Sequence, residues 1–268
     1  MELIAEIGWN HMGDFQLLKK MVRAAAEAGA TYAKFQTWRV KNLKPGPWDE
    51  DGRRDIYKAA ELTTSDFFKV KRTCEEHGVN FLTSVFNPED LEDMARVSDE
   101  AIKIPSPEVA NIPLLEGAGK LFKKVYLSTG ASTEEELDQA IDILRSLDCE
   151  LTLLHCVSIY PCPDDKVNLP RIKRLKEKHS RVGFSDHTPD NLSALFAIAL
   201  GVDCIEKHFT IDKNLPGRDN RFALLPDEFK AIADAAARYE LMSHDLGLEF
   251  QPEEKEQREI YRGRWSGR

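Results

Sequence analysis

Residues 124–158 read KVYLSTGASTEEELDQAIDILRSLDCELTLLHCVS, and this stretch decides the fold. KVYLST is a short apolar run that stops at Gly130. TEEELDQAIDILRSL then places apolar residues at helical spacing, with Ser132 or Thr133 as the cap and acids in the first turn. ELTLLHCVS is apolar again and carries polar residues near its end. The unit is strand, helix, strand.

The same unit recurs in both directions. Towards the N-terminus, Leu3–Ile7 leads into LLKKMVRAAAEAG, stopped at Gly29. TYAKFQ leads through a loop with Pro45, Gly46 and Pro47 to a helix over Thr64–His77, closed by Gly78. VNFLTSVF precedes PEDLEDMARV, and AIKIPS precedes NIPLLEGAGKL. Towards the C-terminus come NLPRIKRLKEK, RVGFSD with NLSALFAIALG, and VDCIEKHF with PDEFKAIADAAARYELM. Eight strand–helix pairs predict an α/β fold of the (β/α)8 TIM-barrel type over residues 1–250. Residues 251–268 read as a charged C-terminal extension with no second domain. The alternative, an open doubly wound sheet, calls for a glycine-rich phosphate loop after the first strand. EIGWNHMGD offers only Gly8 and Gly13, in the wrong arrangement.

Composition narrows the function. The 268 residues are 42% hydrophobic and carry a net charge of −9. That balance argues against a nucleic-acid binder, which needs clustered Lys and Arg, and leaves room for a local basic pocket. No apolar run reaches a membrane span. The N-terminus lacks the basic region and cleavage site of a signal peptide. Five cysteines without a C-x-x-C pair read as free thiols in a reducing cytoplasm, and the spacing of Cys156 and Cys162 suits zinc poorly. The expected location is cytoplasmic, with neither nucleic acid nor membrane as a partner.

In a barrel the C-terminal strand ends share one mouth, where active sites form. Here those ends carry Glu6, Lys34, Gln36, Ser84, Lys103, Ser106, Ser128, Thr129, His155, Ser158, Ser185, His187, Glu206 and His208. Any single serine of this set reads first as a backbone-satisfying group, and a lysine can snorkel to water. His155, deep in LTLLHC, reads as a hydrogen-bonded core histidine. His187 and His208 end neighbouring strands, with Asp186 and Glu206 beside them. These residues leave a divalent-metal pair and a structural role both open. Two lysines and several hydroxyls at one mouth suggest an anion, most simply a phosphate.

The sequence resembles the N-acetylneuraminate (sialic acid) synthase family. The shared motifs are AEIGWNHMGD, YAKFQT, FLTSVFNPEDLE, AIKIPSPEVANIPLL, LSTGAST, LLHCVSIYPCP with VNL, VGFSDHT, and GVDCIEKHFTID with PGRDN, in family order from Ile4 to about Phe229. The resemblance implies condensation of phosphoenolpyruvate with an open-chain aldose of the N-acyl-mannosamine kind. The products are a 2-keto-3-deoxy sugar acid and phosphate. It implies a divalent metal, commonly manganese (Mn2+), with Mg2+ and Co2+ as alternatives, held by His187 and His208. It places Lys34, Ser84, Lys103, Ser106, Ser128, Ser158 and Ser185 around phosphoenolpyruvate. Gln36, Glu108, Tyr160 and Asp219 match sugar contacts, and Glu6 and Glu206 match the catalytic carboxylates. Glu6 is expected to orient water or shuttle a proton, with Glu206 supporting the metal or sugar.

The sequence departs from the family at TSVF, PSPE and PGRDN, the last two on the expected sugar side. Members usually continue past R-R-S into a small antifreeze-like domain that lends an arginine to the partner subunit's site. Here the sequence reads RGRWSGR. The expectations are that this domain is absent, that a homodimer partner or a separate lid-supplying chain provides the lid, or that the acceptor needs none. Arg218 and Arg221 are the expected stand-ins for that arginine, while Arg262, Arg264 and Arg268 read as solvated. Two other readings remain: the same chemistry on a phosphorylated aldose, as in 3-deoxy-octulosonate phosphate synthases, and a barrel that binds sugar acid or phosphoenolpyruvate without turnover.

Overall fold

The computed structural model describes residues 1–265. Within them, parallel strands close into one barrel in sequence order: β1 (Glu2–Gly8), β2 (Tyr32–Thr37), β3 (Asn80–Val85), β4 (Ala101–Ile104), β5 (Lys124–Ser128), β6 (Glu150–Cys156), β7 (Val182–Asp186) and β8 (Cys204–His208). β8 pairs with β1 and removes the sheet edge. The helices are α1 (Phe15–Glu27), α2 (Arg53–Ala60), α3 (Thr64–Glu76), α4 (Leu91–Val97), α5 (Ile112–Leu121), α6 (Glu134–Arg145), α7 (Pro170–Lys178), α8 (Leu192–Ala199) and α9 (Pro226–Met242). The expected (β/α)8 barrel is the observed fold.

The period of two along each strand divides the barrel into an inside and an outside. Outward residues such as Leu3, Ala5, Ile7, Phe35, Val125, Leu127 and Phe184 join the helices in the main core. Inward residues Ile4, Leu82, Ala101, Tyr126, Leu154 and Cys204 form a separate apolar plug, with Tyr32 against it. Below the plug, Lys124 bridges Glu2 at 2.6 Å and Glu150 at 3.0 Å, and the Tyr126 hydroxyl donates to Glu2 at 2.8 Å. Above it, the inward positions turn polar and make the mouth.

Local chemistry places the helix starts. Thr133 caps α6 by accepting from the Glu136 N–H at 3.2 Å, while the Glu136 carboxylate accepts from the Thr133 N–H at 2.8 Å. Thr63 and Asp66 repeat this arrangement at α3. Helix α2 has no counterpart in the sequence reading. RRDIYKAA is only two turns long and lies inside what reads as a single loop, and it packs Tyr57 against Trp9 and Trp38. Beyond α9 the described residues are exposed, with one 3-10 turn at Pro252–Glu254 and a short π-helical segment at Gln257–Tyr261. No helix of the described residues is long and apolar enough to cross a membrane. All five cysteines are free.

Gly183 shows how tightly the plug is filled. A Cβ there would come within 2.2 Å of Cys204 Sγ, 2.5 Å of Leu154 Cδ2 and 2.8 Å of the Cys204 carbonyl oxygen. Gly183→Ala is expected to destabilise the barrel by about 1–3 kcal/mol through overpacking, read as a lower urea midpoint.

Candidate active site

Strand register assembles the mouth. Glu6 lies level with Lys34 on one side and His208 on the other. Ser84 lies level with Gln36 and Lys103, and Ser185 with Glu206. All share the inward parity. Lys34 Nζ donates to Glu6 Oε2 at 2.7 Å and stands 3.7 Å from Glu206 Oε2. Lys103 Nζ donates to that same Glu206 oxygen at 2.9 Å. Gln36 donates to Glu6 Oε1 at 2.6 Å, and Ser185 donates to Glu206 Oε1 at 2.9 Å. Neither lysine snorkels: Lys34 is 3% exposed and Lys103 2%.

Four buried charges in contact do not share the burden equally. Burial raises the Glu6 carboxyl above the ordinary carboxylate range, and repulsion from Glu206 adds to this against the opposing pull of Lys34. Burial also opposes ionisation of Glu206, but Lys103 and Lys34 together outweigh it and hold that carboxyl low. Burial pulls Lys103 down, with Lys34 adding to the effect. Lys34 ends up raised, because Glu206 and Glu6 outweigh its desolvation. The site therefore contains one firmly ionised carboxylate and one that takes up a proton more readily.

A second group lies beside Lys103. The Gly130 N–H donates to Ser106 Oγ at 3.0 Å, and Ser106 Oγ donates to Cys156 Sγ at 3.4 Å. A Cβ on Gly130 would meet Ser158 Oγ at 2.5 Å and Ser106 Oγ at 2.9 Å, so a side chain here would displace both hydroxyls. Ser158 Oγ is buried with no hydrogen-bond partner. Burial works against the Cys156 thiolate, yet hydrogen bonding and charge from His187, with help from Ser106 and Lys103, bring that thiol to about 7.

The two histidines complete the mouth, with ring centroids 5.6 Å apart. His187 Nδ1 donates to the Val157 carbonyl at 2.8 Å, and although burial disfavours the imidazolium, hydrogen bonding and charge from Cys156 outweigh it and raise the ring above its ordinary value. His208 Nδ1 is buried without a hydrogen-bond partner and lies 3.6 Å from Asp219 Oδ2. Burial lowers the His208 ring to about 4, despite Asp219, so it is a neutral imidazole. Tyr160 covers His187 with centroids 4.1 Å apart, and Phe222 meets His208 edge-on at 5.1 Å.

Other expected residues stand apart from this network. Ser84 Oγ donates to the Phe35 carbonyl at 3.4 Å. Glu108 accepts from Asn111 at 2.7 Å, within its own turn. Ser128 ends β5, buried on the inward face. Asp186, read as a carboxylate beside His187, points outward instead. It pairs with Lys207 at 3.0 Å, and Lys207 also donates to the carbonyls of Thr188 and Asp190. Strand parity carried this signal, since Asp186 and Lys207 alternate with Ser185, Glu206 and His208. His155 is the core histidine expected, 2.7 Å from the Val167 carbonyl through Nε2 and stacked on Phe184. In the tail, Arg264 stacks over Trp265 and Tyr261, and Arg268 lies outside the described residues. The sequence reading weighed Cys156 only as a zinc ligand and passed over Trp9, Trp38, Tyr57 and Phe222. Cys156 was findable from its parity with Ser158, and Trp9 from its place directly after a strand end.

A closed barrel with buried lysines, carboxylates and imidazoles at its C-terminal mouth is the architecture of a barrel enzyme. The chain belongs to the NeuB family, whose model matches residues 21–246. It is 35% identical over 245 residues to the N,N'-diacetyllegionaminic acid synthase of Campylobacter jejuni, covering 86% of this chain and 73% of that protein. It is 34% identical over 261 residues to the pseudaminic acid synthase of the same organism, covering 92% and 76%. The crystal structure of N-acetylneuraminic acid (sialic acid) synthetase from Leptospira borgpetersenii superposes with a TM-score of 0.87 at 32% identity, covering 99% of this chain and 92% of that one. The chain is thus an enzyme of the sialic-acid-synthase kind.

Burial lowers His155 to about 4 from its ordinary 6.5, so the folded state binds its proton later than the unfolded chain. The stability gained by keeping this ring neutral is complete above about pH 6.5 and is lost as pH falls through about 4. His155→Gln keeps a donor for Val167 but does not titrate. The unfolding free energy of the wild type relative to this variant is expected to drop by about 2–3 kcal/mol between pH 7 and 4.5, measured by urea unfolding.

Proposed function

We propose that this protein condenses phosphoenolpyruvate with an open-chain aldose of the N-acyl-mannosamine kind, giving a 2-keto-3-deoxy (nonulosonic) sugar acid and phosphate. Residues 1–250 act as the catalytic barrel. The observation that carries this reading is the buried cluster of Lys34, Lys103, Glu6 and Glu206, set directly beside the His187–His208 pair. In the reaction, C3 of phosphoenolpyruvate bonds to the aldehyde carbon, water adds at C2, and the C2–O bond breaks to release phosphate.

The residues divide this work. Lys34 and Lys103 offset the charge of phosphoenolpyruvate. Ser158, the hydroxyl left without a partner, meets the anion together with Ser106. Ser84, Ser128 and Ser185 line the same side. Glu6 has the raised carboxyl and so accepts or returns the proton of the attacking water. Glu206 stays ionised and fixes both ammonium groups. Gln36, Glu108, Tyr160 and Asp219 face the aldose.

The histidine pair fits a divalent cation. His208 is neutral with an orphaned nitrogen, and His187, once it gives up the proton it shares with Cys156, would offer the nitrogen not bonded to the Val157 carbonyl. Among the described residues no third His, Cys, Asp or Glu completes a cluster, so water or substrate would fill the remaining positions. Manganese is the proposed ion, with magnesium and cobalt as alternatives. When bound, it polarises an aldehyde oxygen as a Lewis acid.

His187→Ala with His208→Ala is expected to abolish manganese binding by calorimetry together with phosphate release. Retained binding in the double variant would remove the assignment. Lys103→Ala, having lost a charge-assisted bond, is expected to raise the KM for phosphoenolpyruvate by about ten- to a hundredfold with a smaller effect on the sugar. An effect confined to the sugar would reverse the proposed orientation.

A further inference from the structure

One cation beside the mouth has no counter-ion. Arg171 stands in the first turn of α7, and its guanidinium donates to the Thr129 carbonyl at 2.7 Å. That carbonyl also accepts from the Ser132 hydroxyl at 3.0 Å, so its satisfaction does not depend on the arginine. Among the described residues the guanidinium makes no other hydrogen bond and pairs with no carboxylate. The other half-buried arginines, Arg39, Arg53, Arg54 and Arg181, each have a carboxylate beside them.

The position is unfavourable for a charge that serves only the fold. Burial lowers the Arg171 guanidinium below its ordinary value, with only the Cys156 thiol acting the other way. A helix N-terminus repels a cation, and the first turn of α7 holds no acid to offset it.

The surroundings of Arg171 belong to the mouth. Thr129 precedes Gly130, whose N–H donates to Ser106 Oγ at 3.0 Å and whose missing side chain leaves room for the Ser106 and Ser158 hydroxyls. Ser158 Oγ is the buried hydroxyl without a partner. In the central cluster two ammonium groups and two carboxylates offset one another. Arg171 adds a positive charge that no protein group uses, at the serine end of the same mouth.

We propose that Arg171 is a phosphate-binding residue, whose guanidinium takes the phosphoryl group of phosphoenolpyruvate, and the inorganic phosphate it becomes, at the Ser106–Gly130–Ser158 end of the mouth. This rests on the synthase reading above, and it adds a residue and an orientation to the first substrate. A planar fork of N–H donors matches two oxygens of a phosphate, and its charge assists both bonds. The carboxylate and the reacting carbons then lie towards Lys34, Lys103 and Glu6.

Calorimetry with inorganic phosphate, on the full chain without added metal, reads this site directly. Arg171→Gln keeps a donor for the Thr129 carbonyl and removes the charge. It is expected to raise the Kd for inorganic phosphate and the KM for phosphoenolpyruvate by about ten- to a hundredfold, the loss of one charge-assisted bond. The sugar KM, and inhibition by pyruvate, which has the carboxylate without the phosphate, should stay within about twofold. Arg171→Lys is expected to recover part of the phosphate affinity, because the charge returns without the fork. The urea midpoint of Arg171→Gln should match the wild type, since Ser132 still bonds the Thr129 carbonyl. Unchanged phosphate affinity in Arg171→Gln, equal weakening of pyruvate and phosphate, a lower urea midpoint with no gain of affinity in Arg171→Lys, or a wild type that binds no inorganic phosphate would overturn the proposal. If no aldose releases phosphate from phosphoenolpyruvate, the synthase reading fails, and the phosphate titration still decides the role of Arg171.

Discussion

Two ammonium groups and two carboxylates occupy the top of the barrel interior, and each is bearable there only because the others are present. Glu206 holds Lys103 and approaches Lys34, and Lys34 holds Glu6. The four sit on β1, β2, β4 and β8, so their contacts span the interior instead of running around one wall. Removing any one leaves a buried charge without its counterpart. The apolar plug lies below the cluster, and the burial of all four groups strengthens every interaction within it.

The same cluster has consequences for the chemistry. With all four groups ionised it carries no net charge, so two lysines alone do not make the site attractive to a trianion. In the proposed reading the lysines gain their pull on the anion from a proton on Glu6, a cation at the histidines and neutral donors such as the Ser158 hydroxyl. The raised carboxyl of Glu6 and the orphaned nitrogen of His208 are physical marks of the first two. Reactivity and binding are thereby joined in one set of hydrogen bonds.

The strand–helix alternation was legible because each strand is a short apolar run with its own stop, and each helix shows its period and cap. Glu6, Lys34, Lys103, Ser185, Glu206 and both histidines were legible as well, since strand ends and parity place them without any knowledge of loops. What escaped were residues whose positions depend on loops meeting in space. Trp9 and Tyr57 are 48 positions apart and touch only because α2 folds back over the end of β1. Asp186 was misread because proximity in sequence to His187 was weighed above the direction in which its side chain points. Ser84 and Glu108 match family positions by motif, yet their observed bonds satisfy local backbone and a neighbouring amide.

Lys207 and Asp186 form their ion pair on the outer side of β7 and β8, between the sheet and its helices, and the lysine also gathers the carbonyls of Thr188 and Asp190. The two strand ends that present His187 and His208 are thus clamped from behind, by groups that never enter the mouth. This separates two tasks that many sites ask of the same residues. The geometry of the imidazoles is set by a scaffold hidden from substrate, while the loops that shape the rim can change sequence without loosening it. A barrel built this way can exchange one sugar for another by altering its rim and keep its reaction intact.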